Sequence, residues 1–350
     1  MTAAGAPVEP SSRPIGGFFE RHRADGDVGA PSLLAAWTGG RPHGAFVNSR
    51  SAFSALARTW PTASIWLPAF VCGDLLDPAL AARTRFYPVL EGFTPDVAVI
   101  EAGARPGDLV VFVASFGLPI GPEARAFAAR RPDLRIAEDR AQALDAGAPI
   151  PGAWLLFSPR KLLGVADGGL LAAPDAARSP PQPTTAADAE ALWRAPRLRA
   201  ADPEGRNNAA WHLANQAKEA AMTVGDQAMT AESLAILGEV SLESLAAPRR
   251  ANWAVLDRGL RAWSALPADP GAPPLGYVLR LEPEQRDRLL AGLHARRVFA
   301  AVHWPRIAAP AEAFPREAAW TRELVTLPCD HRYDAATMER IAELANDLLR

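Results

Sequence analysis

Lysine is almost missing from this chain. Of its 37 basic residues only two, Lys161 and Lys218, are lysines, and arginine supplies the rest. Arginine replaces lysine wherever a charge on a long stem suffices, but a guanidinium cannot do the work of a free amine. Each lysine is therefore a candidate for chemistry, Lys218 less so because WHLANQAKEA reads as a polar helical stretch. Cysteine is as scarce: Cys72 and Cys329 make no CxxC pair and offer no disulfide framework. Net charge is missing too, since 37 basic and 39 acidic residues leave −2, and no global field draws the chain to nucleic acid or anionic membranes. The clearest apolar run, residues 109–114, is far shorter than the roughly 20 residues of a bilayer span. The N-terminal MTAAGAPVEPSSRP has no apolar signal core. These absences predict a cytoplasmic protein with neither a nucleic-acid nor a membrane partner.

What is present describes a folded enzyme-sized chain. Its 350 residues, 49% hydrophobic and 22% charged, suit about two soluble globular domains. Between about residues 49 and 174, apolar runs alternate with amphipathic stretches in a βαβα rhythm. Strands are expected at 64–70, 85–90, 108–117, 134–139, 153–158 and 168–174, with helices at 73–83 and 123–131, and six or seven strands in all. Proline and alanine then crowd residues 176–205, and helical periodicity dominates from 208 to 263. After ALPADPGAPPLG, a smaller α/β unit follows, with strand then helix in YVLRLEPEQRDRLLAGLHARRV, short strands in AVHWP and LVTLPCD, and a closing helix in MERIAELANDLLR. The first dozen residues read as a loose arm. The expected division is an arm over 1–40, a large domain over 41–248 and a small C-terminal domain over 249–350.

Chemistry gathers at three places. In FSPRKLLGVADGG, Ser158 and Lys161 stand three apart, after a strand and before a glycine pair. A lysine at such a strand end, partly buried, has a depressed pKa and a neutral amine able to attack carbonyls; a surface lysine at a turn would read the same way. In RIAEDRAQAL, Glu138 and Asp139 end a strand and Gln142 follows. A carboxylate there suits a cationic ring nitrogen, or simply caps the next helix. In FVNSRSAFSAL, Asn48, Ser49 or Ser51 caps a helix whose free N–H groups suit a phosphate. No histidine has a partner at metal-ligand spacing, and no GxGxxG or P-loop occurs, so no metal is expected.

The order of these segments resembles the DegT/DnrJ/EryC1/StrS aminotransferase family. NSRSAFSAL, IWLPAFVC, GDLVVFVASFG, IAEDRAQAL and FSPRKLLGVADGG carry the likeness, with RRANWAVLDRGL, AAVHWP and LVTLPCDHRYDAATMERIAELANDLL resembling the small-domain segments. The resemblance implies a fold-type I α/β protein with a mostly parallel mixed sheet between helices, a smaller C-terminal domain, bound pyridoxal 5'-phosphate and a homodimer. It implies that Lys161 holds the cofactor and moves a proton, that Asp139 pairs with the pyridine nitrogen, and that Gln142 approaches the ring's oxygen side. Ser158, Ser51 and the backbone of Ala52 match phosphate contacts; the ring-stacking position falls at Phe70 or Cys72. His303 and Trp304 are placed at the mouth of the site, where an aromatic packing at the domain joint explains them equally. Asp330, His331 and Arg332 stand in the same position. The implied activity moves an amino group from a donor such as glutamate to a keto or aldehyde acceptor, for example a nucleotide-linked keto-sugar. Two departures, a lysine motif shortened to FSPRK and no asparagine-arginine loop between 207 and 233, leave open a non-catalytic relative or another reaction of the cofactor, such as dehydration.

Overall fold

A computed structural model of the chain describes residues 13–22 and 30–350; the arm expected over the first dozen residues lies outside them. At its centre seven strands form one sheet: β1 His43–Phe46, β2 Ile65–Pro68, β3 Thr84–Tyr87, β4 Leu109–Val113, β5 Arg135–Asp139, β6 Trp154–Phe157 and β7 Gly169–Ala172. Their order is β1-β7-β6-β5-β4-β2-β3. β7 runs antiparallel to both its neighbours, and every other pairing is parallel. The mixed, mostly parallel α/β architecture read from the sequence is the one observed.

Both faces of this sheet are covered, which is why its strands read as unbroken apolar runs. Side chains alternate across the pleat: Val110, Phe112, Leu155 and Phe157 join one core, and Leu109, Val111, Trp154 and Leu156 the other. Helix α1, Ser49–Arg58, buries Phe53 and Leu56 in the second core. The helices expected beyond residue 208 include α2, Asn208–Ala221, and α3, Leu242–Leu260. Farther on, β8 Tyr277–Arg280 pairs antiparallel with β9 Leu324–Leu327, and α4, Ala335–Leu349, packs against α3. Tyr277, Leu279, Val325, Leu256 and Ile341 belong to this separate core.

Three readings need correction. The helix expected over 73–83 is two short 3-10 segments, Gly73–Leu75 and Pro78–Arg83, because Asp77 and Pro78 start a new segment there. AVHWP is not a strand: Ala301 makes one isolated bridge to Thr326, and Trp304 takes a left-handed φ of 59°. The paired segment lies just before it, Val298–Phe299, against Ile15–Gly16. Finally, β1 was not singled out among the strands, since HGAF is four residues long with two glycine- or alanine-sized side chains.

Candidate active site

The parallel strands β6, β5, β4 and β2 place their carboxyl ends side by side, the position where open α/β sheets hold ligands. Asp139 is the last residue of β5 and Lys161 follows β6 in the turn Pro159–Lys161. With Cys72 after β2, Gln142 after β5 and Arg50 on α1, they line a cavity of about 150 Å³, closed on another side by Trp304. The glycine pair lets β7 pack against the start of α1. Gly168 has φ 131°, and a Cβ on Gly169 would lie 2.1 Å from the backbone of Asn48, so only glycine lets β7 pass this close to the start of α1.

Adjacent carboxylates take different tasks because successive strand residues face opposite sides. Glu138 turns away, accepts from Arg140 Nε at 2.7 Å and from Ile150 N at 2.5 Å, and is wholly buried. Asp139 turns to the cavity, where among the described residues its Oδ1 accepts only the Ala141 N–H at 2.8 Å. Burial raises the Asp139 carboxyl above its usual range, against the pull of Lys161 and that N–H. Burial likewise lowers the Lys161 ammonium, with Asp139 and Cys72 opposing and Arg160 and Arg50 assisting. Each group is thus driven toward its neutral form, and the lysine toward a nucleophilic amine.

Two further residues carry unmet donors. Gln142 Oε1 accepts from Phe116 N at 2.7 Å, while its Nε2 is buried with no partner among the described residues. Ser158 Oγ is in the same condition. Ser51 and Ala52 are otherwise engaged: Asn48 Oδ1 accepts both the Ser51 N–H and its hydroxyl, Gly225 N–H donates to that hydroxyl, and Ala52 N–H reaches Asn48 O. Ser49 and Arg50 are the members of this turn that line the cavity.

Of the two ring-stacking candidates, Cys72 lines the cavity. Phe70 is buried behind it, edge-on to Trp304 at 4.7 Å and to Trp320 at 5.2 Å. Phe93, Phe116 and Trp304, three of the four non-glycine residues with positive φ among those described, share this aromatic cluster. His303 packs edge-on to Phe116, and burial together with the Lys161 charge lowers its pKa to about 4. Lys218 is buried elsewhere, its Nζ 3.6 Å from Glu219. Asp330 and Arg332 pair at 2.8 Å, and His331 stacks on Phe19 at a centroid distance of 5.8 Å, around a different cavity. Sequence reasoning missed Arg50, Arg160 and Glu219 in the site; the only signal was that the last two adjoin the two lysines. It also missed Arg249 of α3, wholly buried, whose Nη2 donates at 2.6 Å to the carbonyl of Leu162 and steadies the turn behind Lys161. Among the described residues no cluster of histidine, cysteine and carboxylate groups suits a metal, and no helix is long and apolar enough to cross a membrane.

No protein-family profile matches the chain, and no curated protein matches it by sequence. Solved structures do. A DegT DnrJ EryC1 StrS aminotransferase from Brucella abortus is 18% identical, with a TM-score of 0.61 over 90% of this chain and 87% of its own. The aminotransferase TlmJ from Streptoalloteichus hindustanus is 16% identical, with a TM-score of 0.64 over 97% and 99%. DesV of S. venezuelae, in complex with a ketimine intermediate, is 19% identical, with a TM-score of 0.64 over 91% and 87%. The chain has the fold of these aminotransferases, the fold-type I architecture that its motif order resembles.

Proposed function

We propose that the protein is a pyridoxal-phosphate-dependent aminotransferase that moves an amino group from a donor such as glutamate to a keto or aldehyde acceptor, in the manner of the sugar aminotransferases it resembles. The observation that carries this reading is the facing of Lys161 and Asp139 across one cavity at the carboxyl ends of β6 and β5. The residues suit the group. Lys161 supplies the amine, Asp139 a carboxylate for the ring nitrogen, and Arg50, beside the N-terminal turn of α1, a cation for the phosphate. The unpartnered Gln142 Nε2 and Ser158 Oγ are donors in want of an acceptor. When bound, the cofactor supplies the electron sink that makes the donor's Cα–H acidic.

The chain's own part is proton handling and exclusion of water. Lys161, its pKa depressed by burial, would accept a proton at Nζ as the neutral amine and give it back from the same atom. Asp139, whose carboxyl pKa burial raises, would be drawn to its anionic form by a ring cation placed beside it, in a site of low dielectric that strengthens the pairing. Cys72 and Trp304 wall the space. The division into an arm, a large unit over 41–248 and a small unit over 249–350, a homodimeric state and a cytoplasmic location complete the reading.

An amino donor alone tests the reaction class. Protein holding cofactor should lose its visible band and gain a near-ultraviolet one on addition of L-glutamate or another common amino donor, and a 2-keto acid should reverse the change. A spectrum unmoved by every common donor would favour a non-catalytic relative.

A further inference from the structure

Arg160 lines the same cavity as Lys161, and beyond the charge that helps to lower that ammonium it has no task in the chemistry above. Its Nη1 donates to both carboxylate oxygens of Glu219, at 2.6 and 2.7 Å. Its Nε is buried without a partner, and Nη2 makes no hydrogen bond among the described residues. A guanidinium binds a carboxylate best through two parallel N–H groups. Glu219, taking one nitrogen, leaves the Nε–Nη2 edge without a partner among the described residues. Glu219 is also the outer member of the pair, its side chain 39% exposed against 21% for Arg160, and it is shared with Lys218 at 3.6 Å.

We propose that Arg160 anchors the carboxylate of the amino donor, and that Glu219 is its resting partner, holding the guanidinium in place with its two-point edge free. This rests on the reading of Lys161 as the amine that exchanges with the donor's. An amino acid seated on Arg160 has its amino group in the space Lys161 enters, because both side chains line one cavity. A keto or aldehyde compound with neither carboxylate nor phosphate gains nothing from that edge, so against such an acceptor the residue selects the donor. The cofactor's phosphate is the rival occupant, and Arg50 at the start of α1 suits it better, since helix N–H groups add to its charge.

Glutarate, which has the carboxylates of a donor and no amine, is the probe. Calorimetry on cofactor-loaded protein should show Arg160→Gln weakening glutarate roughly 10- to 100-fold, the range of a lost charge-assisted bond. Arg160→Lys should recover only part of it. Glu219→Gln, which removes the internal competitor, should tighten binding several-fold. Cofactor content, read by visible absorbance and borohydride labelling, should stay level in all three. Wild type failing to bind glutarate, or Arg160→Gln binding within twofold of wild type, overturns the proposal. So does loss of cofactor from Arg160→Gln, which would give the guanidinium to the phosphate. If no protein, wild type included, takes up cofactor, the proposed function fails, and the same glutarate titration on unloaded wild type and Arg160→Gln decides whether Arg160 holds a carboxylate.

Discussion

Glu138 and Asp139 show how far one residue of strand register decides chemistry. Glu138 is the buried partner of Arg140, whose Nη1 also reaches Gly147 O at 2.9 Å, so this pair holds the loop after β5. Asp139 accepts one backbone N–H and faces the cavity. Their substitutions should therefore separate. Glu138→Ala leaves a buried guanidinium unpaired and should cost about 3–5 kcal/mol in urea unfolding. Asp139→Asn keeps shape and most packing, so stability should move by less than about 1 kcal/mol, while turnover falls by about a hundredfold or more with the loss of a preorganised charge. Asp139→Asn turning over at the wild-type rate would assign the ring nitrogen to another residue. From the sequence the two carboxylates were inseparable except by the family likeness, since only the pleat tells which one faces the site.

At the scale of elements, strands buried on both faces were legible because continuous apolar runs have one explanation in an α/β chain. The segment around residue 303 was not. AVHWP has the composition of a strand, yet Trp304 adopts φ 59° and turns its ring to the cavity, while Phe70, Phe93 and Phe116 pack round it. Tertiary packing of this kind overrides local preference, and the strain of the left-handed turn is of order 1–2 kcal/mol. The same packing desolvates His303. Its pKa falls from 6.5 to about 4, so between those values the unfolded chain binds a proton that the folded chain refuses. Stability present above pH 6.5 is lost as the pH falls through that window. Between pH 7.5 and 5 the share of His303 is about 2 kcal/mol, at 1.36 kcal/mol per pH unit. His303→Gln should remove that share, making the acid-side fall in urea stability correspondingly shallower. An unchanged pH dependence would mean that water reaches the imidazole.

Over the whole molecule, the site lies where distant parts of the chain join. The sheet supplies Lys161 and Asp139, and the segment ending in Trp304 comes from the chain beyond β8. Arg249 crosses this join, donating to Leu162 O at 2.6 Å and to Leu275 O at 3.0 Å. No local pattern in RRANWAVL announced that contact. Arg50 was likewise silent, and Arg160 and Glu219 had no signal beyond adjoining the two lysines, each an ordinary charged residue until the fold gathered them. Lysine scarcity, by contrast, was legible at once, and it makes the central claim simple to test. With only Lys161 and Lys218 in the chain, borohydride reduction of the cofactor-loaded protein followed by peptide mass mapping has two lysine outcomes. The label should fall on Lys161 and vanish in Lys161→Ala, while Lys218→Arg keeps it. A label on Lys218, or none on protein saturated with pyridoxal phosphate, would contradict the account.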